Sequence, residues 1–325
     1  ETRNARYALK RIKENYHRDN DSKSYIQAAS DLALEGEFLA MLQHPHIIKL
    51  RGISHAGAAG FEQGPSGYFL IIDRLVETLD QRIRRWRVPI HRNSLLSSFS
   101  RSLTIASPAA TSLSKPSTSS PKAEENVMDE RLHIALQIAA AMKYLHSHSI
   151  MFRDLKPANI GFDVRGDVKL FDFGLARVMS ESGDSNIDVY DMSGAGSPRY
   201  MAPECLSGSA YNMKADVYSF AVVLWEILSG RTPYAFVKGV HHLTSQVVVK
   251  KNRPIIDKSW PSSIQGMLGS SFDSEIDKRP TMELWCSIIR ETLASLRGGD
   301  GRGLNDTWIT RRRSIESMRD IMKDL

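Results

Sequence analysis

The chain has 325 residues, of which 42% are apolar and 25% charged, a composition typical of ordinary globular domains. Two cysteines are too few for a disulfide framework, and no apolar run approaches the ~18 residues of a membrane span. We therefore expect a cytoplasmic protein with reduced thiols. Residues 81–123 hold eight Lys or Arg and no acid, and without them the net charge of +6 becomes −2. Because the excess charge belongs to one stretch and not to a folded face, nucleic-acid binding is not expected.

The first 75 residues predict three strands and one helix. Residues 5–13 alternate polar and apolar side chains, as a strand with one buried face does. Residues 24–43 have helical apolar spacing, and this helix ends before Pro45 because the residue preceding a proline disfavours helical conformation. Residues 47–52 and 68–73 are short apolar runs and predict two more strands. Four glycines lie between these two runs, in what we expect to be a flexible loop: Gly57, Gly60, Gly64 and Gly67.

The middle of the chain changes composition. Residues 91–121 contain eleven Ser and three Thr, and such a segment buries too little apolar surface to offset its ordering entropy. We interpret residues 88–126 as a disordered insertion. From 129 to about 296 the pattern is mainly helical, and a basic tail occupies 297–325.

Three motifs carry the strongest signal. Residues 152–159 read Phe-Arg-Asp-Leu-Lys-Pro-Ala-Asn, Asp-Phe-Gly follows at 172–174, and Ala-Pro-Glu at 202–204. In this order and at this spacing they resemble the eukaryotic protein kinase family. The resemblance implies an α+β fold of two lobes: a small β-rich lobe over 1–75, here incomplete, and a large helical lobe over 76–296. ATP is expected in the cleft between them.

The same motifs imply the chemistry of phosphoryl transfer, which needs positioning and charge neutralisation more than covalent help. Asp154 is expected to orient the substrate hydroxyl, and Lys156 to place a positive charge beside the transferred group. Asn159 and Asp172 are expected to hold Mg²⁺, which prefers oxygen ligands. An isolated Asp or Asn is more often a turn former or a cap, so the assignment depends on the whole set.

Upstream residues match the nucleotide-binding positions of the family. Residues 7–10, Tyr-Ala-Leu-Lys, resemble the strand that brings Ala8 to the nucleotide and Lys10 to the α- and β-phosphates of ATP. The family partner of this lysine is a helix glutamate, which the spacing from His-Pro assigns to Glu35, with Glu37 as the alternative. The connector that meets adenine is assigned to Ile72 as gatekeeper, Asp73, and Leu75 as the backbone contact.

Several residues match structural positions of the family. Phe152 replaces a usual His and is expected to pack beneath Phe173, which precedes Gly174. Arg279 is expected to pair with Glu204 in a buried site. Asp216 is expected to anchor the catalytic loop, which is the 152–159 motif, from the start of a helix.

Regulation is also implied by the resemblance. Arg153 beside Asp154 implies control by a phosphate on the activation segment, the stretch between Asp172 and Glu204. An upstream kinase would add this phosphate. Ser197 is expected to contact the catalytic loop instead. The remaining candidate phosphosites are Ser180, Ser182, Ser185, Tyr190 and Ser193.

The predicted function is that of a Ser/Thr protein kinase acting on protein substrates with ATP and Mg²⁺. Lys156-Pro157 favours the Ser/Thr type, and residues 216–226 resemble its tyrosine-kinase-like group. Two departures suggest weak ATP binding. The nine residues before Lys10 contain no Gly-rich loop, so the resemblance implies a chain truncated N-terminally before that loop, and Gly161 stands where a bulky residue usually contacts adenine. The alternative is a pseudokinase or a kinase-fold scaffold without useful turnover.

Overall fold

The structure is a computed structural model, and it describes residues 6–13, 22–64, 66–87, 121–179 and 197–298. Within these ranges a small antiparallel sheet and one long helix precede Asp73, and helices dominate after it. The two-lobed α+β architecture expected from the sequence is confirmed.

The small lobe is a three-stranded antiparallel sheet covered by one helix. Its strands are β1 (Tyr7–Arg11), β2 (Leu50–Ile53) and β3 (Phe69–Asp73), in the order β1-β3-β2, and its helix is α1 (Ser22–Met41). Ile47, which we expected to begin β2, instead forms an isolated parallel bridge with Leu170 in the large lobe. It therefore joins the two lobes through main-chain pairing.

The glycine-rich connection between β2 and β3 is packed, whereas we expected a flexible loop. Residues Gly57–Gln63 form a 3₁₀ helix, and the hydroxyl of Tyr25 in α1 donates to the carbonyl of Phe61 at 3.1 Å. The Phe61 ring stacks on Tyr68 with centroids 4.2 Å apart. Only glycine fits at Gly60 and Gly67, because a side chain on either would overlap the backbone of the other. The glycines thus permit close backbone contact.

The basic stretch is partly folded, which corrects our placing its charge outside any folded face. After β4 (Glu77–Thr78), helix α2 (Leu79–Arg87) carries four of the eight cationic residues. Each has an acidic partner: Arg82 and Arg85 pair with Glu77 at 2.6 and 3.0 Å, Arg84 with Asp80, and Arg87 with Glu226 at 2.9 Å. The arginines of α2 are therefore largely neutralised by the domain itself.

Helix α3 (Pro121–Ser147) begins inside the interval 88–126 that we assigned to a disordered insertion. Residues 121–126 are therefore helical. Proline is well tolerated in the first turn of a helix, and the Lys, Ala and Glu residues that follow it favour helical conformation. The rest of the predicted insertion, 88–120, and all but two residues of the predicted tail lie outside the described ranges.

The large lobe surrounds helix α5 (Lys214–Ser229), whose residues are buried from Ala215 to Leu228. The ring of Trp285, on the last helix, meets Phe220 of α5 edge-on at 5.3 Å. The described ranges contain no helix long and apolar enough to cross a membrane. The remaining strands and α-helices are β5 (Ile150–Met151), β6 (Ile160–Phe162), β7 (Val168–Leu170), β8 (Arg177–Val178), α4 (Pro203–Leu206), α6 (Val240–Thr244), α7 (Ser262–Ser271) and α8 (Met282–Leu296).

Candidate active site

A chain of charged contacts links the two lobes through Lys10 on β1. Its ammonium group contacts the carboxylate of Glu35 on α1 and donates to Asp172 Oδ1 at 2.8 Å. The other carboxylate oxygen of Glu35 accepts from the backbone N–H of Asp172 at 3.1 Å. The predicted pair is therefore Lys10–Glu35, and the alternative partner Glu37 is not used. Burial acts to lower the pKa of Lys10, but the two carboxylates outweigh it and the pKa is raised, so the lysine stays charged.

Helix α1 also contacts the Asp-Phe-Gly segment through its side chains. Phe38 lies 6.3 Å from the ring of Phe173, and Phe173 in turn meets Phe152 edge-on at 5.0 Å. All three rings are fully buried. Gly174 lies against Asp31 of α1. A Cβ atom added at position 174 would lie only 3.0 Å from the Cβ of Asp31. Phe152 thus packs against Phe173 as we expected, and an apolar ring fills the place of the usual histidine.

The catalytic-loop residues converge on the carboxylate of Asp154. The ammonium of Lys156 donates to Asp154 Oδ2 at 2.6 Å, and the amide nitrogen of Asn159 donates to the same oxygen at 2.8 Å and to the Asp154 carbonyl at 3.0 Å. The backbone N–H of Ser197 donates to Oδ1 at 3.3 Å. Because Asn159 uses its nitrogen in these bonds, its amide oxygen is left as a possible cation ligand. The expected contact of Ser197 with this loop is present.

Main-chain pairing brings Asp172 next to this loop. The carbonyl of Asn159 accepts from the N–H of Phe171 at 3.1 Å, where strands β6 and β7 meet. Asp172 follows directly in the left-handed region at φ 70°, which is uncommon for a non-glycine residue. An amide oxygen and a carboxylate oxygen are thus available on adjacent segments. This donor set fits Mg²⁺, which prefers oxygen ligands.

Asp216, at the start of α5, holds the catalytic loop by its backbone. Its carboxylate accepts from the N–H groups of Phe152 at 2.8 Å and Arg153 at 2.9 Å, and it also contacts His146 at 3.1 Å. Arg153 takes a positive φ of 71°, a conformation that such external bonds help to stabilise. The expected anchor is present. We did not predict His146, because nothing in its local sequence separates it from other helix histidines.

Arg153 and the activation segment can be followed only in part. The guanidinium of Arg153 is buried, donates to the carbonyl of Leu175 at 3.3 Å and lies 6.0 Å from the ring of Tyr211. The sequence did not single out Leu175 or Tyr211. The candidate phosphosites Ser180, Ser182, Ser185, Tyr190 and Ser193 lie outside the described residues.

The predicted adenine contacts lie along the β1–β3 pair and the connector after it. Ala8 is directly opposite Ile72, which is buried. The Asp73 carboxylate is bound by Arg51 at 2.6 and 2.9 Å, so any adenine contact by Asp73 is left to its backbone. No contact given by the structure tests the nucleotide roles of these residues, which stay predictions.

Gly161 has a structural explanation that we did not foresee. A side chain at this position would overlap Leu75 and lie 3.3 Å from Phe171, so Leu75 fills the space that a residue at 161 would take. Ile160 and Phe162, the neighbours of Gly161 on β6, are buried. The ring of Phe162 is covered by the guanidinium of Arg82 at 3.3 Å. The side chain that fills the space beside Gly161 therefore comes from the connector after β3 and not from β6.

The pair between Glu204 and Arg279 is bidentate and buried. The guanidinium donates to the two carboxylate oxygens at 2.6 and 2.8 Å, and its remaining bonds go to the carbonyls of Asp273 and Lys214. The expected partnership is present. It joins α4 to the segment before α8.

Comparison with known proteins agrees with this geometry. A family profile described as the protein kinase domain matches residues 1–289, and the chain therefore belongs to the protein kinase family. A probable serine/threonine-protein kinase of Dictyostelium discoideum is 29% identical over 80% of this chain and 13% of its own length. Serine/threonine-protein kinase STY17 of Arabidopsis thaliana is 36% identical over 53% of this chain and 30% of its own length. The dual specificity protein kinase shkB of D. discoideum is 38% identical over 49% of this chain and 24% of its own length. The chain thus spans under a third of the length of these relatives.

Proposed function

We propose that this chain is an active protein kinase domain that transfers the γ-phosphoryl of ATP to Ser or Thr hydroxyls of proteins with the help of Mg²⁺. The observation that carries the proposal is the convergence of two charged clusters. One comprises Lys10, Glu35 and Asp172, the other Asp154 and Asn159, and the pairing of Asn159 with Phe171 joins them. The location inside the cell stays a prediction of the sequence.

Each residue has a defined task in this reaction. Lys10, held by Glu35, contacts the non-transferred phosphates and fixes the nucleotide. Asp154 accepts a hydrogen bond from the substrate hydroxyl and takes its proton while the hydroxyl oxygen forms a bond to the γ-phosphorus. The bond from that phosphorus to the bridging oxygen breaks, and ADP leaves with the electron pair. Lys156 supplies positive charge beside the transferred group.

Asp172 and the amide oxygen of Asn159 would hold Mg²⁺. When bound, the ion neutralises phosphate charge and aligns the nucleotide tail. Asn159 is well suited because its nitrogen is committed to Asp154, which orients the amide. Asp172 keeps its second carboxylate oxygen for a cation while Oδ1 contacts Lys10.

The test is transfer of labelled phosphate from ATP to a generic Ser/Thr protein substrate, with and without Mg²⁺. Asp154→Asn should lower the rate by about 10²–10⁴-fold and leave thermal stabilisation by Mg²⁺ and ATP in place, because the change removes a base and not a nucleotide contact. Asp257→Asn is the matched control, since that carboxylate is fully exposed in the same lobe. Phosphoamino-acid analysis then separates Ser and Thr from Tyr products.

The alternative is a kinase-fold binding module without turnover. It gains support if ATP and Mg²⁺ stabilise the chain but no variant, including the wild type, transfers phosphate. An unchanged rate in Asp154→Asn would contradict the role given to this residue. The alternative has less support than the sequence suggested, because Leu75 fills the space beside Gly161.

A further inference from the structure

The connection between β2 and β3 touches helix α1 at two separate points. Near the start of the helix, the hydroxyl of Tyr25 donates to the carbonyl of Phe61 at 3.1 Å. Farther along the helix, Gly36 lies against Tyr68, and a Cβ added at Gly36 would be only 2.9 Å from the Tyr68 hydroxyl. Tyr25 and Gly36 are separated by about three helical turns, so both contacts lie on one face of α1.

Aromatic stacking joins the two contacts within the connection. The rings of Phe61 and Tyr68 stack with centroids 4.2 Å apart and an interplanar angle of 23°. Gly60 precedes Phe61 and Gly67 precedes Tyr68, and a Cβ added at Gly60 would lie 2.3 Å from the carbonyl oxygen of Gly67. Because the two backbones meet this closely, the rings are held beside each other. The connection is therefore one packed unit that contacts α1 at both points.

The stacked rings belong to the interior of the small lobe. Tyr68 is 6% exposed, and both Phe61 and Tyr25 are partly buried against the main hydrophobic core. Closely packed side chains resist displacement, because even a small gap loses dispersion contacts. Two contacts that are about three turns apart thus restrain both the rotation of α1 about its axis and its movement along that axis.

The candidate active site depends on the position of α1 because Glu35 serves two partners. One carboxylate oxygen contacts the ammonium of Lys10, and the other accepts from the backbone N–H of Asp172 at 3.1 Å. The two contacts form together only at one rotation of the helix, and Glu35 is the residue directly before Gly36. The Lys10 side chain is 31% exposed, so its ion pair alone holds the helix only weakly.

We propose that Phe61 and Tyr25 are positioning residues for phosphoryl transfer. They act through α1, by holding the helix at the rotation at which Glu35 reaches both of its partners. The connection between β2 and β3 thus supplies, from within the chain, a support that keeps α1 in the arrangement needed for catalysis. The proposal rests on the proposed function, because it names residues that determine the rate of the same reaction.

Three variants and one control test this role. Phe61→Ala removes the stacked ring and should lower kcat/KM for ATP by about 10–100-fold while leaving KM for the protein substrate unchanged, because a displaced Glu35 no longer orients Lys10. Phe61→Tyr keeps an aromatic ring and should retain most of the rate. Tyr25→Phe removes one neutral hydrogen bond and should lower kcat/KM for ATP by about 2–10-fold. Ile26→Ala is the matched control, since Ile26 is 62% exposed on the same helix, and it should leave the rate unchanged.

A double-mutant cycle shows whether the effect passes through Glu35. In Glu35→Gln the charged contact with Lys10 is already lost, so adding Phe61→Ala should lower kcat/KM for ATP little further. A purely structural role of Phe61 would instead make the two losses multiply. Hydrogen exchange of the α1 amides, measured with and without Mg²⁺ and ATP, gives a readout that needs no phosphate transfer. Mg²⁺ and ATP should protect residues 30–41 in the wild type and in Ile26→Ala, and Phe61→Ala should remove that protection.

The outcomes separate this proposal from that of kinase activity. If the losses of Phe61→Ala and Glu35→Gln multiply, or if Phe61→Ala changes neither the rate nor the protection of α1, the positioning role is wrong and the kinase proposal stands. If the wild type transfers no phosphate, but Phe61→Ala removes the protection of α1 by Mg²⁺ and ATP, the positioning role stands and the kinase proposal fails. If Phe61→Ala does not fold, Tyr25→Phe, which keeps every ring, decides between the same results.

Discussion

Removing one partner of the Glu204–Arg279 pair should destabilise the large lobe far more than removing both. The Arg279 side chain has no exposed surface and that of Glu204 is 8% exposed. Glu204→Ala removes two charge-assisted hydrogen bonds of 2.6 and 2.8 Å and leaves the guanidinium with only neutral carbonyl partners. A buried charge stranded in this way costs about 3–5 kcal/mol. At about 2–4 °C per kcal/mol, the expected decrease in Tm is about 6–20 °C.

The assay is thermal and urea unfolding followed by tryptophan fluorescence. Trp225, Trp260 and Trp285 are buried in the large lobe, so the signal reports on the part of the chain that contains the pair. Glu204→Ala/Arg279→Met removes both charges and substitutes apolar volume for the arginine stem. Because no charge is left unpaired, the double variant should be more stable than Glu204→Ala alone.

An exposed pair of equal length provides the control. Lys278 and Glu275 approach to 2.6 Å, like Arg279 and Glu204, but their side chains are 59% and 69% exposed. Glu275→Ala should therefore lower the Tm only slightly, because solvent screens an exposed ion pair. The reasoning is refuted if Glu204→Ala costs no more than Glu275→Ala, or if the effects of Glu204→Ala and Arg279→Met simply add.

Three further predictions concern single sites. Burial, followed by the charges of Glu204 and Asp216, raises the pKa of the Cys205 thiol to about 12, so iodoacetamide at pH 8 should alkylate it only after unfolding. Burial, followed by His46 and Lys169, lowers the pKa of His44 from 6.5 to about 3. Between pH 6.5 and about 3 the unfolded state therefore binds more protons than the folded state, and the free energy of unfolding should fall as pH decreases through that window. His44→Phe should flatten this pH dependence of stability, which urea titrations at several pH values measure. Gly161→Val should cost about 1–3 kcal/mol by crowding Leu75, and a second change, Leu75→Ala, should recover part of that loss in Tm.

The sequence predicted the charged contacts of the site well, because few arrangements satisfy buried charges. Glu35, Glu204 and Asp216 each need a partner once the fold buries them, and the family motifs name that partner. Spacing along the chain was enough to choose Glu35 over Glu37. The structure then supplied what spacing cannot, namely that the pairing of Asn159 with Phe171 joins the two clusters.

Contacts between apolar side chains of separate segments were not predicted. Leu75 fills the space beside Gly161, although the two are far apart in sequence, and no local pattern reports which side chain enters a gap. Composition was also misleading at the start of α3. The Ser-rich stretch hid the helical signal of residues 121–126, because a window average cannot place a boundary within a few residues. Composition likewise gave no sign that the arginines of α2 have partners.

Helix α1 shows why the Lys10–Glu35 contact does not depend on its charges alone. The Lys10 side chain is partly exposed, so the ion pair by itself contributes modestly to holding the helix. Packing acts from two sides. One face brings Phe38 against Phe173, and a different face contacts the connection between β2 and β3.

On that second face, Gly36 allows unusually close approach. A side chain there would lie 2.9 Å from the hydroxyl of Tyr68 and 3.0 Å from Leu70, and Tyr68 is itself stacked on Phe61. Because protein interiors are closely packed, the helix cannot shift toward either side without separating or compressing one of these contacts. Glu35 immediately precedes Gly36, so the packing that fixes Gly36 also fixes the carboxylate that holds Lys10. We expected the glycine-rich connection between β2 and β3 to be only a flexible loop. Its packing against α1 instead helps to determine the geometry of the candidate active site.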